Sequence, residues 1–175
     1  QDVMKIEKRI IIGISGGSGC ILGIRLLQAL KKINELETIL TISKTAQQTI
    51  WVETGMELRE VTSLADRTYD NVDFSAPIAS GSYPTEGMMI VPCSIKSLSA
   101  IANSYTDTLM ARAADVTLKE GRPLLLAVRE TPLHLGHVRL MAKAAEQGAI
   151  IFPPIPTFYD HPQTIDDLIN QLVGR

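Results

Sequence analysis

The chain alternates between short, largely apolar runs and longer stretches in which apolar residues recur every three or four positions. Residues 10–15 (IIIGIS) are the first run, continuous rather than alternating, which marks a strand buried on both faces. Residues 18–32 follow, with Ile21, Leu22, Ile24, Leu26, Leu27 and Leu30 at helical spacing. The pair recurs as strand 37–42 with helix 45–54, then strand 88–91 with helices 95–102 and 106–119. Strand 122–128 with helix 132–147 comes next, then a short strand 149–152 and a terminal helix 164–173. Asp166 and Asp167 in the first turn of that last helix suit its dipole. Residues 55–84 are polar and irregular, with only short helical or strand pieces. Strands alternating with helices predict a parallel sheet with helices on both faces and right-handed connections. The expectation is one α/β domain over residues 1–175, with no internal repeat.

Composition narrows the partners. With 45% apolar and 21% charged residues the chain can bury a core. A net charge of −2 disfavours a nucleic-acid surface, which needs clustered Lys and Arg. Cys20 and Cys93 lie far apart without metal-ligand spacing, which fits a reducing, cytoplasmic setting. No segment approaches the ~20 apolar residues of a membrane span, and the run at 10–12 is too short for a secretory signal. Residues 1–3 precede the first methionine, Met4, and read as an addition.

In open parallel sheets ligands bind beyond the carboxyl ends of the strands, so the residues that follow strands matter most. Gly16-Gly17-Ser18-Gly19 follows the first strand. It is neither G-x-G-x-x-G nor a P-loop, yet it sets N–H groups and the Ser18 hydroxyl at a helix N-terminus, an anion site or a capped turn. Ser43 follows the second strand, where an N-cap is the simpler reading. Glu53 sits among Ile50, Trp51 and Val52 and reads by default as an exposed helix carboxylate. Ser94, Ile95, Lys96 and Ser97 open a helix after the third main strand with more donors than a cap requires. Arg112 and Lys119, seven apart, share a helix face. Arg129 and Glu130 end another strand, where an arginine meets phosphate and a carboxylate handles a proton. Phe158, Tyr159 and His161 lie in a proline-rich loop. His134 and His137 face each other at i, i+3 without the ligand set of a metal site. Several serines, two or three cations and a carboxylate around one sheet edge suit a ligand with more than one phosphate, or two phosphorylated ligands.

Five blocks carry a resemblance: GISGGSGCILGIRLLQAL, ISKTAQQTIWVET, ASGSYPTEGMMIVPCSIKSLSAIA, RAADVTLKEGRPLLLAVRETP and FYDHPQTIDDLI. In this order, over nearly the whole chain, they resemble the UbiX/Pad family of flavin prenyltransferases. The resemblance implies binding of FMN and metal-free transfer of a dimethylallyl group from dimethylallyl phosphate to flavin N5 and C6. The prenylated FMN then serves a UbiD-type decarboxylase. It implies a Rossmann-like (flavodoxin-like) fold and a homododecamer with sites at subunit interfaces. By position, Gly16, Gly17, Ser18, Ser43, Ser94, Ile95, Lys96, Ser97 and Arg129 match FMN contacts. Lys119, Arg129, Tyr159 and Arg175 match the prenyl-phosphate contacts, and Phe74 stands where an aromatic ring covers the allyl group. Glu53 matches the carboxylate near N5, Glu130 the one placed for proton transfer, and Arg112 another arginine of the site. Family chains continue past the position of Arg175 into a tail that helps to close the site.

Two rivals differ in class. A flavin-dependent decarboxylase of small carboxylates relies on a histidine after the second strand, where this chain has Ser43 and Lys44. An FMN electron carrier stacks aromatics on its flavin, whereas aromatic residues are 5% of this chain.

Overall fold

A computed structural model describes residues 8–175; the addition read at residues 1–3 lies outside the described residues. Six parallel strands run in the order β3-β2-β1-β4-β5-β6: β1 (Lys8–Ile14), β2 (Leu36–Ile42), β3 (Arg67–Thr68), β4 (Met88–Cys93), β5 (Leu124–Val128) and β6 (Ile150–Ile151). The helices are α1 (Cys20–Leu30), α2 (Lys44–Thr54), α3 (Leu58–Thr62), α4 (Ile95–Ala102), α5 (Leu109–Lys119), α6 (Leu135–Glu146) and α7 (Ile165–Gly174). The chain moves outward from β1 through β2 to β3, then crosses back to lay β4 on the other side of β1. The strand order therefore reverses between β1 and β4, and a crevice opens there beyond their carboxyl ends.

Alternation along the strands builds two cores. Ile11, Ile39, Met88 and Ile90 face one side, where Leu98 and Ile101 of α4 and Leu109 and Ala113 of α5 cover them. Ile12, Ile14, Leu40 and Ile42 face the other side, beneath Ile24 and Leu27 of α1 and Ile50 of α2. Each fully buried Ile or Leu contributes about 1.5–3 kcal/mol. Ile169 of α7 joins Leu22, Val91 and Ala127 in a third cluster, and Arg25 ties α1 to α7 through Asn170 (2.7 Å) and Asp166 (3.1 Å).

Several helices start later than their apolar periods predict, because caps and turns set the starts. Thr108 accepts from the Ala111 N–H (3.1 Å), so α5 begins at Leu109 rather than at residue 106. His134 caps α6, which begins at Leu135 rather than at residue 132. The helix expected from residue 18 begins at Cys20, because Gly19 adopts φ 98°, a left-handed conformation. Gly23 lets α1 lie close to the sheet: a Cβ there would run into the Val91 carbonyl and stand 2.9 Å from Ile14 Cγ1. That close approach sets the start of α1 over the β1/β4 crevice.

Candidate active site

The strand ends around the crevice are bound to one another. Ser15 donates its hydroxyl to the Pro92 carbonyl (2.9 Å) and accepts from the Ser94 N–H (2.7 Å). The Ser43 N–H donates to the Ile14 carbonyl (3.0 Å) and the Arg129 N–H to the Cys93 carbonyl (3.1 Å). The loops after β1, β2, β4 and β5 thus form one rigid rim. Gly17 lies in its middle, where a Cβ would stand 3.8 Å from the Arg129 carbonyl, Pro92 Cβ and Ser94 Cα.

Beside this rim is a cavity of about 510 Å3 lined by Gly16, Ser43, Lys44, Ser94, Lys96 and Ser97, among others. The N-termini of α2 and α4 both open onto it. Ser43 and Ser94 are N-caps, accepting from the Ala46 N–H (3.1 Å) and the Ser97 N–H (3.2 Å). Beyond the caps, the cavity still has two helix N-termini, two lysines and the Ser97 hydroxyl, a donor set suited to a phosphate. The opposite wall comes from the irregular stretch. Buried Asn71 accepts from the Met110 N–H through its side chain (2.8 Å) and from the Leu109 N–H through its carbonyl (2.8 Å). Asn71 carries no periodic or motif signal in the sequence; only its contacts reveal it.

The start of α1 takes a different anion from the one the sequence loop implied. Gly19 gives α1 no side-chain cap of its own, and Glu53 reaches across from α2 to supply one. Ser18 Oγ donates to Glu53 Oε2 at 2.6 Å. The Gly19 and Cys20 N–H groups donate to Oε1 at 3.0 and 3.3 Å, and the Cys20 thiol at 3.2 Å. Partial burial alone would raise the Glu53 carboxyl, but the Ser18 hydroxyl, the Gly19 N–H and the Cys20 donors outweigh it and hold it below the ordinary value of 4.5. An internal carboxylate thus occupies the N-terminus of α1, leaving α2 and α4 as the termini open to a ligand. Glu53 is more than the exposed helix carboxylate of the default reading.

The remaining candidates fall in two other places. Arg112 donates Nε to the Ala79 carbonyl (3.1 Å), and Lys119 pairs with Glu120 (2.6 Å) beside Gly81. They share a face as predicted; its Arg112 end is tied down at Ala79, while Lys119, near Gly81, stays exposed. The start of α5 borders the cavity, whereas Lys119 lies ten residues beyond Leu109, about 15 Å down the axis. Tyr159 and Arg175 line a broad hollow beside α7. Phe74 is half exposed, and Glu130 folds back to accept from the Thr131 N–H (3.2 Å). One chain therefore gathers Gly16, Gly17, Ser18, Ser43, Glu53, Ser94, Lys96, Ser97 and the Arg129 backbone around one rim. It does not bring Arg112, Lys119, Tyr159 or Arg175 to it. His134 and His137 stack at 3.5 Å, each Nδ1 accepting the other's backbone N–H. They form a helix cap. Among the described residues no group of three or more His, Cys, Asp or Glu is placed to hold a metal ion, and no helix is long and apolar enough to cross a membrane.

Comparison with known proteins agrees with this geometry. A family model described as Flavoprotein matches residues 1–174. The flavin prenyltransferase UbiX of Salmonella typhimurium is 62% identical over 168 residues, covering 96% of this chain and 89% of that protein. The crystal structure of AnUbiX (PadA1) in complex with FMN and dimethylallyl pyrophosphate superposes with TM-score 0.94 at 46% identity, covering 96% of this chain and 89% of that one. A dodecameric FMN-dependent UbiX-like decarboxylase from Escherichia coli O157:H7 superposes with TM-score 0.93 at 45% identity, covering 94% and 90%. The chain belongs to the flavoprotein family and, within it, to the UbiX flavin prenyltransferases.

Proposed function

We propose that the chain is a flavin prenyltransferase that binds FMN along the β1/β4 crevice and joins to it a dimethylallyl group from dimethylallyl phosphate. The observation that carries the reading is the cavity onto which the α2 and α4 N-termini open, lined by Lys44, Lys96 and Ser97. The residues fit FMN. Ser97, Lys44, Lys96 and the free N–H groups would hold its phosphate, and the Gly16-Gly17 backbone would run beside its chain, with the Arg129 side chain at the rim. Bound there in reduced form, FMN supplies N5 and C6 as the atoms that receive the allyl group.

The protein's work is largely electrostatic. Lys119, Arg129, Tyr159 and Arg175 stabilise phosphate as it departs, with Arg112 beside them, and the Phe74 ring shields the developing allyl cation. Glu53 and Ser18 would orient the centre near N5, and Glu130, together with the departing phosphate, would relay the proton released at C6. Since Lys119 and Tyr159 lie away from the chain's own cavity, the reading requires an oligomer, a dodecamer, in which neighbouring copies complete each site. The product would pass to a UbiD-type decarboxylase. A single cytoplasmic flavoprotein unit is in keeping with two buried, unpaired cysteines. An electron carrier would have no use for the cations of α5. Glu130→Gln tests the assignment: FMN binding persists while formation of prenylated flavin, followed by absorbance, stops. Normal turnover in that variant refutes the role.

A further inference from the structure

Cys20 is the first residue of α1 and is fully buried. Nothing in the family resemblance gives it a role, yet its thiol points at the carboxylate on which the α1 N-terminus depends. Sγ lies 3.2 Å from Glu53 Oε1, and its other acceptor, the Thr49 carbonyl, stands at 3.9 Å. The two carboxylate oxygens are treated differently. Oε1 takes the Gly19 N–H, the Cys20 N–H and the thiol, whereas Oε2 takes only the Ser18 hydroxyl.

We propose that Cys20 is a positioning residue for Glu53: its buried S–H pins Oε1 to the start of α1, so that Oε2 and Ser18 Oγ face the crevice in one fixed arrangement. The proposal rests on the reading that Glu53 serves the flavin site. An S–H is a weak donor, so the pin matters only if it stays protonated and dry. Burial, with the Glu53 hydrogen bond and charge adding to it, pushes the thiol up to about 12, so it remains a donor at any pH at which the protein works. Cys20 is fully buried while Glu53 is exposed, so the thiol meets the carboxylate from the protein side. It therefore restricts the carboxylate without blocking the crevice. Losing the sulfur leaves Oε1 with two backbone N–H groups and a void on its buried side, and the carboxylate gains freedom to turn.

The test follows the Glu53 carboxyl itself in the FMN-bound protein. Its infrared band is isolated by subtracting the spectrum of Glu53→Gln and titrated with acid. Cys20→Ala raises the midpoint by about half a unit, a threefold change in the proton equilibrium, and shifts the acid limb of kcat upward equally. Cys20→Ser, whose hydroxyl replaces the donor, keeps the midpoint at or below that of the parent. A midpoint unmoved in Cys20→Ala overturns the proposal, as does an equal rise in both variants, which would make packing rather than donation the cause. A midpoint that rises while the kcat profile stays put leaves the Cys20 link standing and removes Glu53 from turnover. The two failures are thus distinguishable.

Discussion

Removing the charge of Glu53 while keeping its shape isolates what that carboxylate does for the fold. Glu53→Gln retains the carbonyl oxygen but sets an NH2 among donors. Four donors converge on the native carboxylate: the Ser18 hydroxyl at 2.6 Å, the Gly19 and Cys20 N–H groups at 3.0 and 3.3 Å, and the Cys20 thiol at 3.2 Å. A charge-assisted hydrogen bond is worth about 1.5–3 kcal/mol, and an anion at a helix N-terminus adds about 0.3–1 kcal/mol. Glu53 is exposed on its outer side, so solvent screening holds the net loss near about 1–2 kcal/mol. For a chain of this length each kcal/mol moves the melting temperature by about 2–4 °C. The expected fall at pH 7 is therefore on the order of 2–8 °C. The pH dependence carries the sign. The folded carboxyl lies below its ordinary value of 4.5, so its stabilisation is fully present above that value and disappears as pH falls through the lower folded one. Thermal denaturation from pH 7 to pH 3 should show parent and variant converging at the acid end. Equal melting temperatures at pH 7, or a constant difference at every pH, would refute the account of the α1 N-terminus.

Two further outcomes follow from packing and from the division of the site. Gly23→Ala ought to gain up to about 1 kcal/mol in an ordinary helix, yet here the methyl meets the Val91 carbonyl, and overpacking costs about 1–3 kcal/mol. Its melting temperature should fall, and a rise would show that α1 does not need the close approach. Lys119→Ala and Glu130→Gln should each be inactive as pure oligomers, and unfolding and co-refolding them together should restore part of the prenyl transfer. No recovery from a well-assembled mixture would mean that one chain supplies both groups.

The sequence was most legible where burial is simplest. The apolar runs of β1, β4 and β5 are covered on both faces, so each appears as a continuous block, and the strand-end rule then directs attention to the loops that form the rim. Helix starts were less legible, since Thr108 and His134 act through side-chain geometry that periodicity does not register. At the site, Ser43 and Ser94 were found because caps follow strands. Glu53 stood out only through the family, because its partners lie 33 to 35 residues away. Asn71 sits in a stretch without period, and its burial comes from α5. The spacing of Arg112 and Lys119 established a common face but not its depth along the sheet, which separates Lys119 from the cavity.

The most direct test of prenyl transfer is the mass of the flavin itself. Protein is incubated anaerobically with reduced FMN and dimethylallyl monophosphate in chelator-treated buffer, and the flavin is extracted. The account predicts a flavin heavier by one C5H8 unit, formed in proportion to phosphate released. FMN recovered at its original mass from a protein that binds it would contradict the account.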